Sequence, residues 1–261
     1  MNRDQYLNLA NACDTLLLAQ GSTPERIAIA WLHIVREHPI FLQHYTDLFK
    51  SAGVIGPRFS RSVRTLMVSA GYWRQCIQWL KSGGNPWFAT KLDPAPTNVL
   101  FLSHLLSSSH TDQQDDFYFG HAPTDLARTG ISTGIALINH TNIHPRQLAN
   151  RYVSTAIPQF ILSNSLSMAD EFNLRQRLAR EKQKLRTLVT ELPLGLEMQV
   201  AARAVIESMS GATLGNLRIG CQVAMLVQKL QPKALVVTHE GQPYERIAFY
   251  AARGVLPRLP V

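Results

Sequence analysis

Cysteine is scarce in this chain, with Cys13, Cys76 and Cys221 its only examples among 261 residues. Their wide spacing excludes a disulfide framework, and no Cys-x-x-Cys or Cys/His cluster has the spacing of a zinc site. They read as buried thiols in a reducing compartment. Acid is short as well, since 18 Asp and Glu face 26 Lys and Arg for a formal charge of +8. A basic surface attracts polyanions, among them nucleic acid, anionic headgroups and phosphorylated substrates, and charge does not choose between these. Long apolar runs are missing too. Charges and glycines interrupt the longest ones, so the sequence predicts at most peripheral membrane contact. Asn2, Arg3 and Asp4 lead into an amphipathic segment, unlike a signal peptide, which places the chain in the cytoplasm. Gly-x-Ser-x-Gly, His-Glu-x-x-His and kinase signatures are all lacking, which removes the simplest support for hydrolases, zincins and phosphotransferases. No metal and no cofactor is expected.

What is present is organised around residues 234–253. Leu235, Val236, Val237 and Thr238 suit a buried parallel strand, Gly241 and Pro243 punctuate a turn, and Glu245 favours the first turn of the helix that follows. Ligands of open α/β sheets bind beyond the carboxyl ends of the strands. His239, Glu240, Gln242 and Tyr244 are therefore the first candidates for chemistry.

Residues 1–92 read as an all-α N-terminal region. Tyr6, Leu9, Leu16 and Leu17 give one helix face. Ser22, Thr23, Pro24 and Glu25 cap a second helix that runs to Val35, and a short helix is expected over 41–49. Val63, Leu66, Met67, Ala70, Trp73, Ile77 and Leu80 recur at three and four and predict a third long helix from about Ser60. Arg58, Arg61, Arg64 and Arg74 fit its solvated face, and a phosphate- or membrane-facing stripe is the alternative. Trp31, Trp73, Trp79 and Trp87 read as packing residues. Aromatic and basic residues do not interleave as an RNA-binding sheet requires, so no specific nucleic-acid partner is expected.

Residues 93–97 form a proline-rich linker, and residues 98–261 read as a Rossmann-like parallel sheet with flanking helices. Strands are expected over 98–104, ending at His104, and over 134–140, ending at His140. A short one is expected over 156–162, where Pro158 argues for a sheet edge. Ser167 or Asp170 can cap a helix from Ala169 to about Glu191 whose Arg175, Arg177, Arg180, Lys182, Lys184 and Arg186 make it the most basic segment. It reads as a surface helix, with a membrane-lying helix as the alternative. Helices follow over 196–209 and 217–230. Gly211 and Gly215 between them lack the lysine or third glycine of a phosphate-binding loop and read as a turn.

A parallel sheet can bring His104, His140, His239 and Glu240 to one rim, where imidazoles and a carboxylate share acid/base work. The competing reading is that each is only a polar strand end. Residues 238–246, Thr-His-Glu-Gly-Gln-Pro-Tyr-Glu-Arg, resemble the Thr-Tyr-Glu-Gly-His-Ala-Trp-Glu-Arg motif of bacterial surface-carbohydrate biosynthesis proteins, those of lipopolysaccharide and capsule, related to GT-B-type glycosyltransferases. Residues 99–104 are similar to the opening strand of that domain, and Tyr118, Phe119 and Gly120 to its Tyr-Trp-Gly segment. The resemblance covers residues 98–253. It departs from the motif at His239, Gln242, Pro243 and Tyr244, where the family has Tyr, His, Ala and Trp.

The resemblance implies transfer of a sugar from a nucleotide-sugar donor to a saccharide or lipid-linked acceptor. Glu240 would be the general base or acceptor-binding carboxylate, and His104, Tyr118, His140, His239, Gln242, Tyr244 and Arg246 would line the cleft. It also implies a second Rossmann-like domain for the donor, which residues 98–261 do not supply, so the chain reads as a fragment, a truncated frame or one subunit of a split enzyme. A non-catalytic membrane- or saccharide-binding scaffold is the alternative, and peripheral attachment to the inner membrane fits either.

Overall fold

The computed structural model describes residues 1–34, 37, 39–49, 77, 80, 85–90, 96–113, 115–152 and 157–261. The long helix expected from Ser60 lies outside the described residues apart from Ile77 and Leu80, which are helical. Arg58, Arg61, Arg64, Arg74, Trp73, Trp79, Cys76 and residues 93–95 of the linker also lie outside them. The chain packs into two units. One is Met1–Arg74, Glu171–Leu217 and Glu240–Pro243; the other is Gln75–Asp170, Arg218–His239 and Tyr244–Val261. Residues 171–217, which the sequence assigns to the Rossmann-like part, therefore cluster with the N-terminal helices.

The first unit is helical where described. Helix α1 (Arg3–Leu17) opens on a capping box, in which the Asn2 side chain accepts from the Gln5 amide and the Gln5 side chain accepts from the Asn2 amide. Leu9, Cys13, Leu16 and Leu17 form its buried stripe. Helix α2 (Pro24–Ile27) carries the expected Thr23 cap and Pro24 at its first position, but it is a single turn and does not reach Val35. The Ile27 carbonyl is bonded by the His33 ring at 2.7 Å, and the Ala28 carbonyl accepts from Asn216 Nδ2 at 2.9 Å. Side chains thus take the oxygens that a continuing helix would use. Tight 3-10 turns at Ala30–Leu32 and Pro39–Phe49 follow, so the short helix expected over 41–49 is a 3-10 segment.

Across the unit, Glu181, 2% exposed at its side chain, receives Arg26 Nε at 2.6 Å and the Thr23 hydroxyl at 2.9 Å. Arg177 pairs with Glu25 beside it. A buried carboxylate needs such partners to stay charged. The apolar core joins Leu9, Leu17, Ile29 and Leu32 to Leu185, Val200, Ala201 and Ala204 of the later helices.

The second unit is a five-stranded sheet in the order β1-β4-β3-β2-β5. Strand β1 (Trp87–Ala89) is the antiparallel edge, and β2 (Val99–Leu105), β3 (Thr133–Asn139), β4 (Gln159–Leu162) and β5 (Ala234–Val237) are mutually parallel. The strands end close to where the sequence places them. The α/β sheet with flanking helices stands, while the all-α expectation for 1–92 fails at Trp87–Ala89, three residues too short to show a strand period. The edge expected at Pro158 is also corrected, since β4 lies between β1 and β3. Pro158 sits one residue before that strand. It has no amide to give, but its carbonyl accepts from Ile135 N at 3.0 Å.

Alternation sorts the strands into two faces. Leu100, Leu102, Ala136, Ile138 and Leu235 pack on one side under α7 (Gly211–Leu230) and α8 (Pro243–Val255). Phe101, Leu105, Ile135 and Leu137 pack on the other, against α3 (Ala122–Arg128) and α4 (Pro145–Ala149). The glycines at 211 and 215, expected in a turn, lie inside α7, whose start is capped when Ser210 Oγ accepts from the Thr213 amide at 3.2 Å. The remaining helices, α5 (Met168–Glu191) and α6 (Leu196–Glu207), match the sequence expectation, and α5 is capped by Ser167 with Asp170 answering it. Among the described residues, no helix is long and apolar enough to cross a membrane.

Candidate functional site

The chain runs β2, β3, β4 across the sheet in one direction, then returns to the far side of β2 with β5. Strand order therefore reverses between β2 and β5. The carboxyl ends of two such strands diverge and leave a crevice, the place where open α/β sheets hold ligands.

Local structure decides which side chains reach it. His104 follows Leu100 and Leu102 on the face covered by α8, and His140 follows Ala136 and Ile138 on the same face. His104 pairs in register with Ile138, so the two imidazoles meet at the rim. His104 Nδ1 lies 2.8 Å from His140 Nε2, with ring centroids 5.0 Å apart. His104 Nε2 lies 2.7 Å from the Tyr244 hydroxyl, which α8 brings down in its first turn. That hydroxyl is also 2.5 Å from Thr238 Oγ1, immediately after β5, and Thr238 donates to Glu245 Oε1 at 3.3 Å. His104, Tyr244, Thr238 and Glu245 are all buried, whereas His140 is exposed. A hydrogen-bonded chain thus runs from the surface at His140 to the buried carboxylate of Glu245.

The opposite face carries a second polar arrangement. Ser103, neighbour of His104 and fully buried, donates to Asp116 Oδ1 at 2.7 Å, and the same oxygen accepts from the amides of Tyr118 and Phe119 at 2.9 and 2.8 Å. Gly120, at φ +55°, closes the turn by pairing its backbone with Asp116. Tyr118 is thereby held at the rim, its ring centroid 6.1 Å from that of His104, while Phe117 and Tyr118 stay exposed. Beside them is a shallow cleft lined by His104, His110, Asp115, Asp116, Phe117 and Tyr152 among others. Burial, then the charge of Asp116, push the Tyr152 phenol up, which keeps it a neutral donor. His144 is pushed down, chiefly by burial and then by Arg146, and its ring caps α4 by accepting the Arg146 amide at 3.2 Å.

Of the residues singled out in the sequence, His104, His140, Tyr118 and Tyr244 come together. Tyr244 is buried rather than lining open space, with its hydroxyl turned to His104 and Thr238. His239, Glu240 and Arg246 are exposed and Gln242 is half-buried. Glu240 and Gln242 fall in the other unit. Thr238, Glu245, Ser103 and Asp116 were not singled out. Thr238 and Glu245 lie in the 238–246 stretch and Ser103 in the 99–104 strand that carry the resemblance, but each reads there as a polar residue at a strand end or first helical turn, which many structural residues share. Among the described residues no group of His, Cys, Asp and Glu has the make-up of a metal site. No family model, curated protein or solved structure matches the chain.

Proposed function

We propose that the protein is a glycosyltransferase-like protein of bacterial surface-polysaccharide assembly, moving a sugar from a nucleotide-sugar donor to a hydroxyl of a saccharide or lipid-linked acceptor. The observation that carries this reading is the pair His104–His140 at the reversal of strand order, tied to Tyr244, which lies within the 238–246 stretch at a position where the family has Trp. Transfer to a hydroxyl needs a group that takes a proton as the new bond forms. Two exposed side chains that follow strands in the sequence are the candidates, His140 after β3 and Glu240 after β5. A second Rossmann-like domain, on this polypeptide or supplied in trans, holds the donor in this proposal. The basic side chains of α5 that are exposed, Arg177, Arg180, Lys184 and Arg186, support peripheral attachment to the anionic inner membrane.

The test is a panel of nucleotide sugars and lipid-linked acceptors, run with wild type, Glu240→Gln and His140→Asn. The proton-accepting residue is expected to cost on the order of 100-fold or more in turnover when replaced. Absence of transfer from every donor, with binding to anionic vesicles retained at low salt, would replace the enzyme by the scaffold reading.

A further inference from the structure

We infer that the cleft lined by His110, Asp116 and Tyr152 is a binding site for a neutral, hydroxyl-rich ring, a sugar, one of whose hydroxyls enters the cleft while the ring lies on Phe117. The observation that carries this is Gln159. Alternation puts its side chain with Ile161 on the face of the sheet that bears the cleft, and it forms part of the lining. The residue is only 8% exposed, and its backbone amide donates to Thr90 Oγ1 at 3.1 Å. Its side-chain amide takes part in no hydrogen bond among the described residues. A buried amide left so costs the fold stability, and it calls for a partner from outside the fold. His110 repeats the pattern, with Nδ1 buried and no partner for it among the described residues.

The lining selects the class of ligand. No Lys or Arg belongs to it, whereas the carboxylates of Asp115 and Asp116 do. A phosphate would meet like charge there, although the chain as a whole carries +8. Asp116 Oδ1 is taken by Ser103 and the amides of Tyr118 and Phe119, and Oδ2 accepts from none of the described residues. An ammonium would suit that oxygen, but it has no lone pair for the hydrogens of Gln159 or of the Tyr152 phenol, which burial and Asp116 keep protonated. A hydroxyl gives one hydrogen and accepts two, so it can serve carboxylate, amide and phenol together. Size agrees with this choice. The enclosed part of the cleft has room for a single water-sized group, so the rest of the ligand lies outside it. Phe117, 52% exposed, stacks one ring face on His110 with centroids 4.7 Å apart and leaves the other for the C–H face of a sugar.

As the seat of the acceptor sugar the cleft rests on the transfer reading; as a binding site it stands without it. The test needs no donor. Methyl glycosides of the common hexoses, with a hexose 1-phosphate and ethanolamine for comparison, are titrated through the millimolar range into the 15N-labelled full chain, and the Gln159 side-chain NH2 resonance is followed. At least one neutral glycoside is expected to shift it saturably, together with the Phe117 backbone amide, while the phosphate and the amine do not. Gln159→Leu fills the same space without the amide. It is expected to weaken binding about tenfold, read at Phe117, with the thermal midpoint unchanged or raised because no bond of the fold is lost. Tyr152→Phe is expected to weaken binding by a similar factor, and it decides the matter if Gln159→Leu does not fold. No saturable shift from any glycoside, shifts from the phosphate or the amine alone, or an affinity unmoved by both variants overturns the inference. Glycoside binding without transfer from any donor removes the transfer reading and leaves the site, and transfer without binding here does the reverse.

Discussion

His104 Nε2 and the Tyr244 hydroxyl stand 2.7 Å apart although 140 positions separate them in the chain. One belongs to β2 and the other to the first turn of α8, so their contact exists only when β2, β5 and α8 are all in place. Tyr244→Phe keeps the ring in the core and removes the hydroxyl that His104 and Thr238 both bond. It is expected to lower stability by about 1–3 kcal/mol, read as a fall in the urea midpoint at unchanged slope.

The Glu181 carboxylate is expected to matter more than any surface acid. Its partner Arg26 is only 10% exposed at the side chain, so Glu181→Ala strands a buried guanidinium and an apolar wall. The expected loss is about 3–5 kcal/mol in denaturant titration. The Arg128–Asp125 pair, 73% and 61% exposed, is the control, and Asp125→Ala is expected to cost less than about 1 kcal/mol.

Two glycines of α7 are expected to respond with opposite sign. A β-carbon at Gly220 would come within 2.5 Å of Ile247 Cγ2 on α8, so Gly220→Ala is expected to destabilise by about 1–3 kcal/mol. At Gly215 the space is open, and Gly215→Ala is expected to stabilise the helix by about 0.5–1 kcal/mol. Thermal midpoints of the two variants check both signs.

Burial, helped by the negative charge of Asp14, pushes the Cys13 thiol up to about 12 from its ordinary 9.0. The folded chain therefore keeps a proton there that the unfolded chain loses as pH rises past 9.0. Unfolded states bind fewer protons in that window, so stability is expected to fall as pH climbs from 9.0 toward about 12. Cys13 is also expected to resist alkylation in the native protein and to react on unfolding, which mass spectrometry of the labelled peptides measures.

The sheet was legible because its parallel strands are continuous apolar runs closed by polar residues, as at 98–104 and 134–140. His104 and His140 were found for the same reason. Thr238 and Glu245 were not, because their importance depends on the partner they meet and not on their own residue type. Single-turn α2 was overestimated because the apolar spacing of Ile27, Ile29, Trp31 and Ile34 persists past the point where Asn216 and His33 take over the carbonyls. That competition is tertiary and leaves no local trace. Gly211 and Gly215 looked like punctuation, yet the Ser210 cap and the apolar run from Leu214 onward carry a helix through them.

Ser103 and His104 are consecutive, yet one secures the 116–120 turn on one face and the other ties the imidazole pair to α8 on the opposite face. Sliding β2 by a single residue against β3 would exchange the two, sending the hydroxyl toward Tyr244 and the imidazole toward Asp116, and would break both arrangements together. A misaligned sheet therefore has neither the rim turn nor the histidine pair. The polar network thus also acts as a proofreading device for strand alignment, and a chain that folds one step out of register loses both arrangements at once.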